Sequence, residues 1–126
     1  MQDNNKLNSI NSPEAPDADG GENYHHLLRL FDKSTEALIQ AFLSLDNKEE
    51  CLRFLTDLCT VKEIKDMSMG LEVAGLLHKG MFYSDIASKT GASTATISRV
   101  SRALNYGEGG YISVIKKLEE VNNADS

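Results

Sequence analysis

Apolar side chains recur at helical spacing along most of the chain. From Tyr24 to Leu45 no glycine or proline interrupts the pattern, which predicts one long first helix. A face this apolar needs other helices to cover it. Its apolar residues are Leu27, Leu30, Phe31, Leu38, Ile39, Phe42 and Leu45.

Capping patterns mark the start of the next two helices. Asp46 with Glu49, and Thr60 with Glu63, each combine an N-capping side chain with a carboxylate three residues later. Gly80 is suited to follow the end of the third helix, where a left-handed conformation is common. The apolar positions are Leu52, Phe54, Leu55 and Leu58 in the second helix, and Ile64, Met67, Leu71, Ala74 and Leu77 in the third.

The helical segments after Gly80 are shorter. The pattern predicts helices over about 84–90, 93–105 and 111–121, with a glycine-rich loop at 107–110 before the last of them. No segment alternates between apolar and polar residues over a useful length. We therefore expect an all-α fold with six helices and no sheet.

Residues 83–102 have the pattern of a helix-turn-helix. In this motif the second helix crosses the first steeply, which requires a small residue at the crossing, a glycine at the turn and a branched apolar anchor. Ala87, Gly91 and Ile97 stand at these positions, and Ser93 is suited to cap the second helix. An ordinary helical hairpin with the same packing is the alternative. The remaining inward positions hold Ile86, Ala92, Val100 and Leu104.

The outward positions of this motif are polar and suit contact with DNA. Hydroxyl-bearing residues cluster in the first half of the second helix, the half that enters the major groove in this motif. Arg99 and Arg102 lie about one turn apart and can reach phosphate or guanine. Lys79 and Lys89 are expected to contact the phosphate backbone beside the groove, with a solvated surface role as an equal alternative. The hydroxyl-bearing residues are Ser93, Thr94, Thr96 and Ser98.

Composition divides the chain unevenly. Residues 1–23 hold both prolines and few large apolar residues, so we expect them to form a disordered acidic tail. The 126 residues fit one domain, which we place at 24–121, followed by a short tail at 122–126. A domain of about 100 residues has a modest core, so pairing of two chains would help to stabilise it.

The charge is negative overall and unevenly distributed. The net charge of the chain is −6, to which residues 1–23, 24–78 and 107–126 contribute −4, −3 and −2. Residues 79–106 alone are basic, with a net charge of +3. Contact with phosphate depends on a local basic face more than on the charge of the whole chain, so the helix-turn-helix keeps its DNA-binding interpretation.

Several classes of protein lack support in the sequence. No run of about 18 apolar residues suits a membrane span, and no secretory signal is visible, so we expect a cytoplasmic protein without a membrane partner. Cys51 and Cys59 lack zinc-site spacing and are interpreted as reduced, packed thiols. No phosphate loop or nucleophile motif occurs, so we expect no enzyme activity, no metal and no cofactor.

Two stretches resemble the Trp repressor superfamily, and most closely its TrpR-related YerC/YecD branch: TVKEIKDMSMGLEVAGLLHKG at 60–80 and SDIASKTGASTATISRVSRALNYGEGGY at 84–111. The likeness covers residues 24–118. It implies a bacterial transcriptional regulator, expected to be a repressor. It also implies an intertwined homodimer in which helices of both chains form one core, with the helix-turn-helix as the fourth and fifth of six helices.

The resemblance also implies residue roles. The family's base-reading positions fall on Thr94, Ala95 and Ser98. The Trp repressor carries basic residues on the first helix of the motif, where this chain has Ser84 and Ala87.

The ligand clamp of the Trp repressor is incomplete in this chain. The Trp repressor holds its indole ligand between two arginines, one of which matches Arg99. The other falls at about Met69–Gly70, where this chain has no base. Because arginine combines a flat stacking face with a fork of donors, its loss removes both contacts, and we expect no tryptophan corepressor.

Two hypotheses follow. In the first, the protein is a sequence-specific regulator that binds double-stranded DNA. The alternative is a helical dimer that uses the same motif as a protein-interaction module, which the acidic net charge and the two missing bases favour. Salt dependence of DNA binding separates them, because phosphate contact weakens steeply as salt rises.

Overall fold

The computed structural model describes residues 21–125, and within them it contains only helices and connecting turns, which confirms the all-α expectation. The predicted tail, 1–23, lies outside the described residues except for 21–23, which begin the first helix. No helix in 21–125 combines the length and apolar character that a bilayer crossing needs. Residues 21–125 form seven helices: α1 (Gly21–Leu30), α2 (Lys33–Leu43), α3 (Lys48–Leu58), α4 (Val61–His78), α5 (Tyr83–Thr90), α6 (Thr94–Tyr106) and α7 (Gly110–Asp125).

The expectation of one long first helix is wrong, and residues 21–125 therefore hold seven helices where six were predicted. The chain breaks at Asp32, whose backbone is extended and whose carboxylate caps α2. That carboxylate accepts hydrogen bonds from the Ser34 hydroxyl at 2.8 Å and from the Thr35 backbone amide at 3.1 Å. Both hydrogen bonds hold the pKa of Asp32 below its ordinary value, and the bond from the Ser34 hydroxyl has the larger effect. A good capping residue therefore divides a sequence whose apolar pattern is continuous.

The start of α3 lies one residue later than the capping pattern predicts. The cap is Asn47 and not Asp46, because the Asn47 side-chain oxygen accepts the Glu50 backbone amide at 2.9 Å. Two adjacent residues with capping side chains compete for this position, and the sequence does not say which of them is used.

Both ends of α4 match their predicted signals. The Glu63 amide donates to the Thr60 hydroxyl at 3.1 Å, and the Thr60 amide donates to the Glu63 carboxylate at 2.8 Å, which completes the capping box. The Thr60 amide lowers the pKa of Glu63. At the other end Gly80 has φ 89°, and its amide donates to the Leu77 carbonyl at 2.9 Å. This bond closes the helix in the usual glycine-dependent way.

The described residues fall into two compact units, divided after Asp46. The first holds α1 and α2, and no residue of α2 is buried. The apolar face predicted for this segment is therefore uncovered within its unit. Its most exposed large side chains are Leu30, Phe31, Ile39 and Leu43, at 50–72%.

The second unit is built around the C-terminal half of α4, which packs against α5, α6 and α7, while α3 packs against α4 as well. Side chains from four helices and the turn meet in one core. The buried apolar residues are Val73, Ala74, Leu76, Ile86, Ala92, Ile97, Val100 and Ile115. This core fixes α5 and α6, the two helices of the predicted motif, on a common support.

Candidate nucleic-acid interface

The turn between α5 and α6 is held by a left-handed glycine. Gly91 has φ 78° and ψ 4°, and its backbone amide donates to the Ala87 carbonyl at 2.9 Å. Residues with a Cβ adopt this conformation only with strain, so glycine suits the position. The glycine and the small residue four positions before it are thus joined directly.

Thr90 reinforces the same turn, a role that the sequence reasoning missed. Its hydroxyl donates to the Ile86 carbonyl at 2.8 Å and accepts the Ala92 backbone amide at 3.1 Å. One hydroxyl therefore bridges the last turn of α5 and the residue after Gly91. A threonine directly before a turn glycine is the signal that could have indicated it.

The inner faces of α5 and α6 pack against the core. Ile86 and Ile97 are fully buried and Val100 is 1% exposed. Ala87 is half-buried and packs against the same cluster. Of the residues proposed for motif packing, Ala87, Ile97 and Val100 therefore lie in or against this core cluster, whereas Gly91 is exposed at the turn.

The N-terminus of α6 is capped by a pair of hydroxyl groups. Ser93 accepts the Thr96 backbone amide at 3.1 Å, and its hydroxyl donates to the Thr96 hydroxyl oxygen at 3.0 Å. Ser93 and Thr96 are thus engaged with each other. Of the other three residues predicted to contact DNA in this half, Thr94 and Ala95 are exposed and Ser98 is half-buried.

One face of α6 points directly away from the core. Ala95, Arg99 and Arg102 follow one another at intervals of four and three residues, opposite the side that buries Ile97 and Val100. All three are exposed. We call these three residues the outer stripe; it begins with a methyl group and continues with two guanidinium groups.

The cations of this region are free of acidic partners among the described residues. The ion pairs described in 21–125 join Arg53 to Glu49 and Lys62 to Asp66, both at 2.8 Å and both outside the motif. The four predicted contact cations are exposed and outside those pairs; they are Lys79, Lys89, Arg99 and Arg102.

Two exposed aromatic residues flank the motif and were not singled out from the sequence. Phe82, at the N-cap of α5, is 76% exposed and makes no side-chain capping bond. Tyr106, in the last turn of α6, is 86% exposed. Large apolar side chains at such exposure leave surface that a partner molecule can cover.

The position of the second ligand arginine offers no cation. Gly70 is buried within α4, and Met69 beside it is half-buried and packs against the core. Arg99 lies on α6 as part of the outer stripe. Of the two arginines in such a clamp, this chain therefore has a counterpart for one, Arg99.

Comparisons with known proteins agree with this geometry. The family model described as Trp repressor protein matches residues 33–119. The uncharacterized protein YerC of Bacillus subtilis (strain 168) is 45% identical over 98 residues, covering 78% of this chain and 94% of YerC.

Two solved structures are similar in both fold and sequence. A TrpR-like protein from Eubacterium eligens has a TM-score of 0.70 and 49% identity, covering 72% of this chain and 94% of that one. A candidate Trp repressor from Staphylococcus aureus has a TM-score of 0.70 and 41% identity, covering 74% of this chain and 93% of that one.

Proposed function

Because this chain belongs to the Trp repressor family, in its YerC-related branch, we propose that it is a sequence-specific DNA-binding transcriptional regulator that acts as a repressor. The observation that carries the proposal is the orientation of α6. Its inner face is buried by Ile97 and Val100, while its outer stripe presents Arg99 and Arg102 without acidic partners among the described residues. A helix held in this way can enter the major groove.

The first half of α6 is assigned to the bases. Thr94 and Ala95 are exposed and present methyl groups suited to thymine, while the hydroxyls of Thr94 and Ser98 suit base edges. Ser93 and Thr96 act mainly through the cap that shapes the helix end, where the remaining backbone amides favour a phosphate.

The four cations are assigned chiefly to the DNA backbone. Lys79 and Lys89 stand at the C-terminal ends of α4 and α5, where exposed ammonium groups can contact phosphate on either side of the groove. Arg99 and Arg102 lie deeper along α6 and can contact phosphate or guanine. The backbone contacts supply affinity, and the first half of α6 supplies sequence preference.

The active form is proposed to be a homodimer. No residue of α2 is buried, and Ile39 and Leu43 are 50% and 72% exposed. Exposed apolar side chains that continue along a helix need a cover, and a second copy supplies an identical set. A two-fold dimer presents two copies of α6 to successive turns of the major groove.

We further propose that free tryptophan is not a corepressor. The buried Gly70 has no side chain and Met69 has no charge, so Arg99 would face an indole ring alone. Control by another signal, or DNA binding without any effector, is expected instead.

The chain's net charge of −6 favours a second candidate, a dimer that uses α5 and α6 to bind another protein. Fluorescence anisotropy with labelled duplex DNA distinguishes the two. If α6 lies in the groove, a plot of log affinity against log salt concentration should be a falling straight line. Each phosphate contact adds about −0.9 to its slope. Binding that is absent at low salt, or that is insensitive to salt, favours the protein-interaction module.

A further inference from the structure

Tyr111 of α7 makes a close contact with the backbone of α4. Its hydroxyl oxygen lies against Gly70, so near that a Cβ added to Gly70 would stand 3.1 Å from it, which is tighter than ordinary van der Waals contact. Gly70 is buried, and the Tyr111 ring is half-buried against the core cluster. The approach of α7 to α4 at this point therefore depends on the missing side chain of residue 70.

The same ring stands beside the recognition helix. Tyr111 and Ala103 of α6 line one open cavity of about 450 Å³, together with Leu71 of α4 and Gly107 at the end of α6. Three helices thus meet around the tyrosine. A change in where the ring sits changes what the C-terminal half of α6 packs against.

That half of α6 has little other support within its unit. Beyond Val100 the helix buries no further residue, and Leu104 is its one half-buried apolar side chain. Ala103 and Tyr106 are exposed. The first half of α6 is thus anchored by buried Ile97 and, near its middle, Val100, whereas the second half rests on Leu104 and packs beside α7.

We propose that Tyr111 is a positioning residue for DNA recognition: it spaces α7 from α4 through Gly70 and thereby sets the angle at which α6 presents the outer stripe. The inference rests on the proposed function, because its effect is measured on DNA. It assigns to a half-buried side chain of α7 the task of positioning the recognition helix.

The test exploits two glycines of α4. An added methyl group at Gly70 meets the Tyr111 hydroxyl, whereas Gly75 in the same helix has nothing within 4 Å of an added Cβ. Both Gly→Ala changes increase helix propensity, so neither should lower the free energy of unfolding through the helix itself. Gly75→Ala is therefore the matched control for Gly70→Ala.

Affinity for a selected duplex is measured for the parent, Gly70→Ala, Gly75→Ala, Tyr111→Phe and the double variant Gly70→Ala/Tyr111→Phe. Mutations that disturb coupling between elements typically change affinity by about threefold to thirtyfold, and we expect a loss in this range for Gly70→Ala alone. Tyr111→Phe removes the oxygen that the methyl group meets, so the double variant should return to the affinity of Tyr111→Phe. Denaturant unfolding on the same samples should show a cooperative transition with no loss of stability, and light scattering should show an unchanged mass.

The outcomes are separable. Absence of DNA binding by the parent chain overturns the proposed function and this inference with it. Parent-like affinity of Gly70→Ala, or an equal loss in Gly75→Ala, overturns the inference and leaves the proposed function standing. A loss in Gly70→Ala that Tyr111→Phe does not relieve also overturns it, because the hydroxyl contact is then not the cause.

Discussion

The backbone amide of Gly91 donates a 2.9 Å hydrogen bond to the carbonyl oxygen of Ala87, and this bond closes α5 at the point where the chain turns into α6. The bond forms because Gly91 adopts φ 78°. The relative placement of the two helices therefore depends on the conformation of one residue. Thr90, whose hydroxyl bonds on both sides of that glycine, supports the same turn.

Gly91→Ala should destabilise the fold although space is available. In residues 21–125, no atom beyond Gly91 and its two chain neighbours lies within 4 Å of a Cβ added there, so the penalty comes from the left-handed backbone, at about 1–2 kcal/mol. Chemical denaturation measures it as a lower free energy of unfolding. Gly75→Ala, also in open space but at a helical φ, should be neutral or stabilising. Equal stability of the two variants would show that the turn does not require glycine.

Lys89→Ala and Thr94→Ala should affect DNA binding in different ways. Lys89→Ala removes a phosphate contact, so it should weaken binding to all DNA sequences alike. It should also make the plot of log affinity against log salt concentration less steep by about one unit. Loss of a base contact changes preference at one position and leaves that slope unchanged. Competition binding against single-base variants of a selected site measures both effects. Altered base preference in Lys89→Ala with none in Thr94→Ala would contradict the proposed orientation of α6.

The exposed face of α2 should govern assembly. Ile39 is 50% exposed within one chain, so Ile39→Glu should lower the stability of the single folded chain only a little. In a dimer that buries this face, the same change would place a charge in the interface between the two chains. Light scattering should give about twice the chain mass of 13.8 kDa for the parent and a lower mass for Ile39→Glu. Gln40→Glu adds the same charge at the neighbouring exposed position and should remain paired. A parent mass equal to one chain ends the dimer hypothesis.

Tryptophan should neither bind tightly nor increase affinity for DNA. Calorimetric titration of the purified protein with L-tryptophan, alone and with a selected duplex, tests this directly. We expect no saturable heat at the concentrations where an arginine-clamped indole would bind, because Gly70 and Met69 supply no second cation. A dissociation constant of about tens of micromolar or tighter, or a several-fold gain in DNA affinity, would contradict the proposal.

The sequence predicted the helices best where local signals and apolar spacing agree. The Thr60–Glu63 capping box and the left-handed Gly80 are both present as predicted. The break at Asp32 was missed because the apolar pattern runs through it, and a capping side chain decided the local structure instead. Asp46 and Asn47 both have side chains that can cap a helix, so the sequence pattern could not predict that Asn47 is the N-cap.

The site shows a similar division. Spacing alone placed Gly91 at the turn and Ile97 on the inner face, because both positions follow from helix geometry. The bond between the hydroxyls of Ser93 and Thr96 depends on rotamers, which no spacing rule specifies. The contact between Tyr111 and Gly70 joins residues 41 positions apart and emerges only when α7 packs against α4.

The most direct test of the central claim is selection of bound duplexes from a random pool by the full chain. If two copies of α6 read successive major grooves, the enriched sequences should contain two inverted half-sites with centres about 34 Å, or one helical turn, apart. Enrichment should disappear in a variant with both Arg99→Ala and Arg102→Ala. Recovery of sequences no different from the starting pool would contradict sequence-specific DNA binding and leave α5 and α6 as a surface for another protein.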